Sequence, residues 1–330
     1  MGGPVPHAPP PRTIDSWLRH ERNRSWQYGR EYWAGGGVCE IVELGNMNDD
    51  EIKSKLRVLY KSCRICPKSC GVDRSALCGA CGIDAKPRIY QNFVHLGEEC
   101  SIVPALVINM CGCNLSCPTC PERHRWSDCL PIEDATSYAE AIARFIEKHG
   151  NIQSIEWIGG EPSLQVGFAI ETSWKLREIL GTVPTIYLNS NMYFSPTLLP
   201  ILCSDEAPSI DAFVYDLKCT APCSRTITGA KDYYEIVTHN IEVATHLRPH
   251  APHILRHLVM PGHLDCCTNP ILSWCKEHIP NVCINLMTTF HDFRPNGDGP
   301  LFLSDAEKHK AIDMIQTSGI ATYFIDGQSV

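Results

Sequence analysis

Residues 113–120 read Cys113-Asn114-Leu115-Ser116-Cys117-Pro118-Thr119-Cys120. They follow an apolar run at 103–109, which predicts a buried strand. Thiols separated by three and then two residues are soft ligands that suit an iron–sulfur cluster or zinc. Three thiolates can hold three corners of a four-iron cluster and leave the fourth iron open to a small chelating ligand.

The composition is that of an ordinary globular protein with an excess of cysteine. The chain has 330 residues, 19 cysteines and a formal net charge of -8. This length suits one large α/β domain with additions. This negative net charge gives no sign of a basic surface, so we expect no nucleic-acid partner. No apolar run is long enough for a membrane span, so we expect no membrane contact.

The cysteines belong either to a disulfide framework or to metal sites. Disulfide frameworks are typical of short secreted domains, whereas this chain is long. Residues 1–12 are rich in Pro and Gly rather than apolar, unlike a secretory signal, so we expect a disordered tail there. The cysteines also cluster at 63–81 and 111–120. We therefore expect metal ligation in a reducing, cytoplasmic compartment.

The first cysteine group allows two interpretations. Two C-x2-C pairs, Cys63/Cys66 and Cys78/Cys81, resemble a zinc ribbon, although the gap between them is short for one. Alternatively, an iron–sulfur cluster would be held by Cys63, Cys66, Cys70 and Cys81. The spacing is compatible with either a zinc site or an iron–sulfur cluster. We place this cysteine-rich segment at residues 63–100. Before it we expect a helical extension at 13–62, with a capped helix at 48–60.

From residue 101 onward, apolar β-branched runs alternate with helical patterns. The predicted strands are 103–109, 155–158, 185–188, 212–217, 253–259 and 282–287. The predicted helices are 135–148, 168–180, 232–246, 270–278 and 304–317. Six β/α repeats predict an α/β fold with a parallel sheet. Because a closed barrel needs eight repeats, we expect an open, partial (β/α)6 barrel over 101–330, with 321–325 as an added edge strand.

Polar residues follow the predicted strands, where parallel sheets gather their functional groups. The candidates are Gly159, Gly160, Glu161 and Pro162 after the second strand, Asn189 and Ser190 after the third, Asp216 and Lys218 at the fourth, and Arg256 in the fifth. Asp216 and Lys218 alternate along a strand and can face one side. A structural ion pair is the alternative for these two.

The two motifs together resemble those of the radical S-adenosylmethionine superfamily, in the right order. Within it, the chain resembles the branch of pyruvate formate-lyase activating enzymes. This likeness runs from Cys63 to the C-terminus. It also includes the stretches Cys63-Arg64-x-Cys66-Pro67-x-x-Cys70-Gly71, Asp216-Leu217-Lys218, Thr228-Gly229-Ala230 and Arg256-His257-Leu258-Val259-Met260-Pro261-Gly262.

The resemblance implies a [4Fe–4S] cluster whose open iron chelates S-adenosylmethionine. Its ligands would be Cys113, Cys117 and Cys120. An electron, from a donor such as flavodoxin or ferredoxin, would cleave the sulfonium bond. The 5′-deoxyadenosyl radical would then take hydrogen from an unactivated C–H bond. The aromatic residue common before the third cysteine is Thr119 here, so adenine must be held elsewhere.

The resemblance also implies roles for the strand ends. The Gly159-Gly160 backbone would approach the cofactor closely, and Glu161 or neighbouring carbonyls would receive its ammonium group. Asn189 and Ser190 would bind ribose or carboxylate, and so would Arg256. For the first cysteine group the resemblance favours an auxiliary [4Fe–4S] cluster over zinc, with Cys78 the least expected ligand.

Two cysteines follow the fourth strand, where the active site is expected to open. A thiol is a good hydrogen donor to a carbon radical, so Cys219 and Cys223 are candidates for that role; an inert buried cysteine is the alternative. They favour a small-molecule radical enzyme, such as an epimerase acting on a sugar or peptide-like metabolite. The alternatives are an activase that installs a glycyl radical on a partner protein, and a non-catalytic iron–sulfur or zinc protein.

Overall fold

The computed structural model describes residues 47–204, 209–294 and 300–329. The predicted tail at 1–12, and the extension as far as residue 46, lie outside the described residues. The predicted helix at 48–60 lies within them. It forms as α1, Asp49–Lys61, because the Asn48 side chain accepts the amides of Asp50 and Glu51 at the N-terminus, both at 3.1 Å.

One mixed sheet organises the described part of the chain. Its strands are β1 Arg88–His95, β2 Ala105–Met110, β3 Leu130–Pro131, β4 Ser154–Gly159, β5 Thr185–Ser190, β6 Ala212–Asp216, β7 His253–Leu258, β8 Cys283–Met287, β9 Tyr323–Ile325 and β10 Gln328–Ser329. Their order is β10-β9-β8-β7-β6-β5-β4-β2-β1-β3. All pairs from β2 to β9 are parallel, and the outer pairs are antiparallel.

Helices connect the parallel strands. They are α2 Ala135–His149, α3 Val166–Leu180, α4 Leu199–Leu202, α5 Ser224–Thr228, α6 Tyr233–Leu247, α7 Asn269–His278 and α8 Asp305–Ser318. Their ends follow the sequence: Gly150 ends α2 in a left-handed conformation, and Ser304 with Glu307 forms a capping box before α8.

Both faces of the sheet are covered, which explains the nearly continuous apolar strands. We define the small-core face by its apolar cluster of Ile102, Ala105, Val107, Tyr187, Ala212, Val214 and Ile254. The opposite, large-core face packs against the helices through side chains such as Trp157, Phe213 and Tyr215. Polar side chains continue the small-core face toward the carboxyl ends of the strands.

The predicted α/β fold with a parallel sheet is confirmed, and antiparallel strands are added at both edges of that sheet. Strand β1 is an addition, since it lies in the predicted cysteine-rich segment yet pairs antiparallel with β2. Its residues are mostly half-buried or exposed, so the sequence carries no apolar alternation to reveal it. The predicted edge strand at 321–325 is present as β9 and continues into β10 through a tight turn at Asp326-Gly327, both with positive φ.

Cys111 and Cys129 form a disulfide, which the sequence does not predict. It links the residue after β2 to the residue before β3. No helix in the described ranges combines the length and the apolar character needed to cross a bilayer.

Candidate active site

The loop that follows β2 carries Cys113, Cys117 and Cys120 at the carboxyl edge of the sheet. The sulfur of Cys113 accepts the Leu115 amide at 3.4 Å and the Asn191 side-chain amide at 3.7 Å. Burial, with Glu161 adding to it, raises the pKa of Cys113 to about 12. Metal ligation requires the thiolate and would therefore release a proton here.

The other two thiols of this loop lie in a similar environment. Burial raises the pKa of Cys117, and the positive charge of Lys218 opposes that rise. Cys120 is half-buried, and its amide donates to the Cys117 carbonyl at 3.3 Å. A cation beside these sulfurs suits a ligand set that becomes anionic.

The three thiols fit a cluster better than a single ion. Four ligands around one zinc ion stand about 3.5–3.8 Å apart. In the described residues, the one set of three or more ligand atoms that all lie within 4.8 Å of one another is a different group, treated below. The wider spacing on this loop suits a cluster in which each thiolate binds its own iron.

Gly159 and Gly160 hold the end of β4 against the cysteine loop. The Gly160 amide donates to the Met110 carbonyl at 2.8 Å. A Cβ on Gly159 would lie 2.4 Å from that same oxygen, and one on Gly160 would lie 2.0 Å from the Gly112 carbonyl oxygen. Only glycines permit this approach. The two predicted motifs are therefore one structural unit.

Glu161 organises the neighbouring loop from a fully buried position. Its carboxylate accepts the Ser163 amide at 3.0 Å, the Ser190 hydroxyl at 2.8 Å and the Asn191 amide at 2.8 Å. Burial raises the pKa of Glu161. Since its oxygens are engaged within the protein, Glu161 acts as a positioning residue, and backbone carbonyls remain as the predicted ammonium acceptors. Pro162 begins the helical turn Pro162–Gln165.

Asn191 is the site residue that the sequence-based candidates omit. Besides Cys113, its side-chain amide reaches Asn114 at 3.0 Å, and its oxygen accepts the Tyr193 amide at 2.8 Å. Its neighbours point elsewhere: Asn189 donates to Glu156 at 2.9 Å and Ser190 to Glu161. The polar triplet after β5 is the signal, but only the strand's alternation shows which member faces the cysteines.

Asp216 and Lys218 form an ion pair of 2.9 Å. Burial alone would lower the pKa of Lys218, but Asp216, Tyr233 and Cys117 raise it well above its ordinary value. The pair therefore places an ammonium group beside the cysteine loop, and the predicted contact of these two residues with the cofactor stays a prediction. The Lys218 amide donates to the Tyr233 hydroxyl, which donates to the Asp216 carbonyl at 2.6 Å.

Arg256 is held in a network of acidic side chains. Its guanidinium binds Glu99 in two contacts of 2.9 and 2.6 Å, and lies 3.0 Å from Glu98 and 3.6 Å from Glu156. Asn285 also donates to Glu99 at 2.6 Å. The guanidinium therefore lies among two buried carboxylates and one half-buried carboxylate on the small-core face, and its predicted contact with the cofactor's carboxylate or ribose stays a prediction.

The electrostatics of this network are asymmetric. Burial alone would raise the pKa of Glu98, but the bond from His95 and the charge of Arg256 lower it to about 2. Burial instead raises the pKa of Glu156 well above its usual range. The network therefore favours the ionised form of Glu98 and the protonated form of Glu156.

The first cysteine group lies in the turns that follow α1. Cys63, Cys66 and Cys81 are buried, Cys70 is half-buried, and Cys78 is exposed. Burial raises the pKa of Cys66 to about 11, with the neighbouring thiols of Cys81, Cys63 and Cys70 adding to it. A Cβ on Gly79 would lie 3.3 Å from the sulfur of Cys70 and 3.4 Å from that of Cys81. The structure thus gathers the four predicted ligands and leaves Cys78 outside.

This cysteine-rich segment is fastened to the active-site loops. Ile83 covers Gly112, where a Cβ would lie 2.1 Å from the Ile83 side chain. The Ser195 amide donates to the Ile65 carbonyl at 2.8 Å. Buried Arg74 donates to the Leu164 carbonyl at 2.5 Å, just after Pro162. Three separate contacts therefore join this segment to the loops of the candidate active site.

The two candidate hydrogen donors occupy different surroundings. Cys219 is fully buried in the large core, 4.0 Å from the Ser224 hydroxyl, and burial raises its pKa to about 12. Cys117 is close enough to contribute to that rise. Cys223 is half-buried and lies 3.6 Å from the sulfur of Cys266. The structure therefore separates them, with Cys219 nearer the cysteine loop.

The chain is similar to several known proteins over part of its length. No family model matches the chain. An uncharacterized protein of Methanocaldococcus jannaschii is 29% identical over 237 residues, covering 69% of this chain and 66%, just under two thirds, of that protein. A radical SAM methyltransferase from Sphaerobacter thermophilus has a TM-score of 0.49 at 10% identity, covering 68% of this chain and 66% of that one. Streptococcus suis SuiB bound to S-adenosylmethionine has a TM-score of 0.44 at 10% identity, covering 64% of this chain and 48% of that one.

Proposed function

We propose that the protein is a radical S-adenosylmethionine enzyme, with a [4Fe–4S] cluster on Cys113, Cys117 and Cys120. The observation that carries this proposal is the joining of two motifs into one site. The Gly159-Gly160 loop closes directly on the backbone of the cysteine loop. A plain zinc or iron–sulfur protein has no need of that second loop.

The chain's own residues prepare this site. Glu161 holds the Asn191 backbone, and the Asn191 side chain donates to the sulfur of Cys113. Hydrogen bonds to ligand sulfurs tune the reduction potential of such a cluster. Lys218 adds a positive charge near Cys117. When bound, the reduced cluster supplies the electron that cleaves S-adenosylmethionine.

We propose a second, auxiliary cluster on Cys63, Cys66, Cys70 and Cys81. These thiols are gathered, yet no three of them fall within 4.8 Å of one another, a wider spacing than zinc requires. The contacts of Ile83 and Arg74 place this segment against the active-site loops. Such a cluster would support electron delivery from a flavodoxin or ferredoxin.

For the substrate we propose a small molecule, with Cys219 as the hydrogen donor. Cys219 follows the Asp216–Lys218 pair and lies within electrostatic reach of Cys117. Transfer of its hydrogen to a carbon radical forms a C–H bond and leaves a thiyl radical, which a reductant must restore. The glycyl-radical activase remains the competing outcome of the experiments.

The first experiment measures iron and 5′-deoxyadenosine. After anaerobic reconstitution with S-adenosylmethionine and dithionite, we expect 5′-deoxyadenosine from wild type, none from Cys117→Ala, and normal amounts from Cys100→Ser, a substitution at an exposed cysteine. We expect about eight iron atoms per chain, that is two four-iron clusters. Wild type that holds its cluster but releases no 5′-deoxyadenosine contradicts the proposal.

The second experiment tests the donor without a known substrate. In D2O, uncoupled cleavage should yield 5′-deoxyadenosine that carries deuterium taken from an exchanged thiol. We expect Cys219→Ala to lose most of this deuterium and Cys223→Ala to retain it. Unchanged labelling in Cys219→Ala would remove the donor role and leave the cleavage reaction intact.

A further inference from the structure

A third group of metal-ligating side chains lies apart from both predicted groups. It consists of Cys223, His263, Cys266 and Cys267, whose ligand atoms all lie within 4.8 Å of one another. Cys223 belongs to the segment after β6, and the others belong to the segment after β7. Because β6 and β7 are parallel neighbours, both segments lie at the same edge of the sheet. Cys223 and His263, which are 40 residues apart in sequence, are thereby brought into contact.

The distances match the shell of a single metal ion. Zinc–ligand bonds of about 2.3 Å to sulfur and about 2.0 Å to nitrogen set tetrahedral edges of about 3.8 Å between sulfurs and about 3.5 Å between sulfur and nitrogen. The two sulfurs of Cys223 and Cys266 lie 3.6 Å apart. The Nδ1 atom of His263 lies 3.7 Å from the first and 3.3 Å from the second.

The backbone explains how adjacent cysteines join one group. Residues Leu264–Thr268 form a π-helical turn, in which the Thr268 amide donates to the His263 carbonyl at 3.2 Å. Such turns are rare and often mark functional sites. The wide turn brings His263 and both cysteines toward Cys223.

A polar neighbour supports the group. The buried hydroxyl of Thr220 donates to the Cys266 carbonyl at 2.5 Å and lies 3.8 Å from the Cys267 sulfur. Hydrogen bonds from residues behind the ligands are characteristic of built metal sites. Thr220 also ties the segment after β6 to the turn after β7.

We propose that Cys223, His263, Cys266 and Cys267 bind one zinc ion in a closed, tetrahedral site. Binding releases the thiol protons and leaves three thiolates and a neutral imidazole around Zn2+. Four protein ligands leave no open position, so the ion is structural. It fastens the segments after β6 and β7 beside the proposed active site, and it assigns Cys223 a role other than hydrogen donor.

The test measures zinc and iron in protein purified without added metal and then reconstituted with iron. We expect zinc to fall by one ion per chain in Cys266→Ala and in His263→Ala, with iron unchanged. The matched control is Cys275→Ala, which removes a buried thiol of α7 outside the group and should retain zinc. Equal zinc in wild type and the ligand variants overturns the proposal, as does a wild type without zinc.

A second measurement serves if the ligand variants fail to fold. Wild type is treated with iodoacetamide before and after a zinc chelator, and labelled peptides are quantified by mass spectrometry. We expect the half-buried Cys223 and Cys266 to react only after chelation. Equal labelling before and after, or a disulfide between these cysteines, overturns the zinc assignment, and the 5′-deoxyadenosine assay remains an independent test of the active site.

Discussion

The backbone amide of Ser116 donates a hydrogen bond to the carbonyl oxygen of Thr228 at 2.8 Å. Ser116 lies between two of the cysteines of the candidate cluster loop, and Thr228 ends α5. The next residue, Gly229, has a φ of +79°, and a Cβ there would lie 1.9 Å from the Ser116 hydroxyl oxygen. The Thr228-Gly229-Ala230 stretch therefore packs against the cysteine loop and supports it.

Gly229→Ala should disturb the cysteine loop. The left-handed backbone alone costs alanine roughly 1 kcal/mol. The clash with Ser116 adds a displacement of the loop, so we expect iron bound after reconstitution to fall by at least half. Iron content and urea unfolding of the same preparation are the measurements.

Gly150→Ala is the matched control for this substitution. Gly150 also ends a helix at positive φ, +68°, but a Cβ there meets nothing within 4 Å. We expect a similar backbone cost and normal iron. Equal iron loss in both variants would show that the contact with Ser116 is unimportant.

Glu161→Gln should weaken the site through Asn191. Both carboxylate oxygens of Glu161 accept hydrogen bonds. In glutamine an NH2 group replaces one of these oxygens, and this donor would face another hydrogen-bond donor. We expect a loss of about 2 kcal/mol in the free energy of unfolding, together with reduced iron retention. Glu178→Gln is the control, because Glu178 is an exposed residue paired with Lys175. A variant that retains wild-type stability and iron would contradict the positioning role.

Arg256→Met should destabilise the fold rather than weaken cofactor binding selectively. It leaves the buried Glu99 and Glu156 and the half-buried Glu98 without their cation, at a cost of about 3–5 kcal/mol. Because Arg256 lowers the pKa of Glu98, its removal would raise that folded-state pKa, so the loss should be larger at pH 8 than at pH 5.5. Arg144→Met, which removes an exposed pair with Glu140, should cost under about 1 kcal/mol.

The measurements for Arg256 are urea unfolding at both pH values and the KM for S-adenosylmethionine in the cleavage assay. A stable variant with a strongly raised KM would instead support the predicted role of Arg256 as a cofactor ligand.

His257 should make stability depend on pH. Burial lowers its pKa from 6.5 to about 4, with the Leu217 carbonyl opposing the fall. The unfolded chain then binds more protons between these values, so this contribution is full above pH 6.5 and is lost as pH falls toward 4. Between pH 6.5 and pH 4 the free energy of unfolding should fall by about 3 kcal/mol through this residue.

We expect His257→Gln to show a flatter stability profile than wild type between pH 7 and pH 5, measured by urea unfolding. His250→Gln, at an exposed position, should retain the wild-type slope. Parallel profiles for wild type and His257→Gln would refute this assignment.

The sequence predicts the parallel strands well because burial on both faces leaves long apolar runs. It also predicts the gathering of polar residues at one edge, which follows from the strand direction. It cannot show that Glu98 and Glu99, in the connection before β2, neutralise Arg256 more than 150 residues later. The zinc group is hidden for a similar reason: its adjacent cysteines have no usual ligand spacing, and only the π-helical turn brings them to Cys223.

The contact of Ile83 with Gly112 couples the unfolding of the first cysteine segment to the opening of the second cysteine loop. The loop that begins at Gly112 cannot open while the first cysteine segment lies over it, and that segment cannot unfold without uncovering the loop. If both groups hold the proposed clusters, oxidative loss of one cluster would disturb the other group through these packing contacts, even where no electron passes between them. Damage and repair should then act on both groups together.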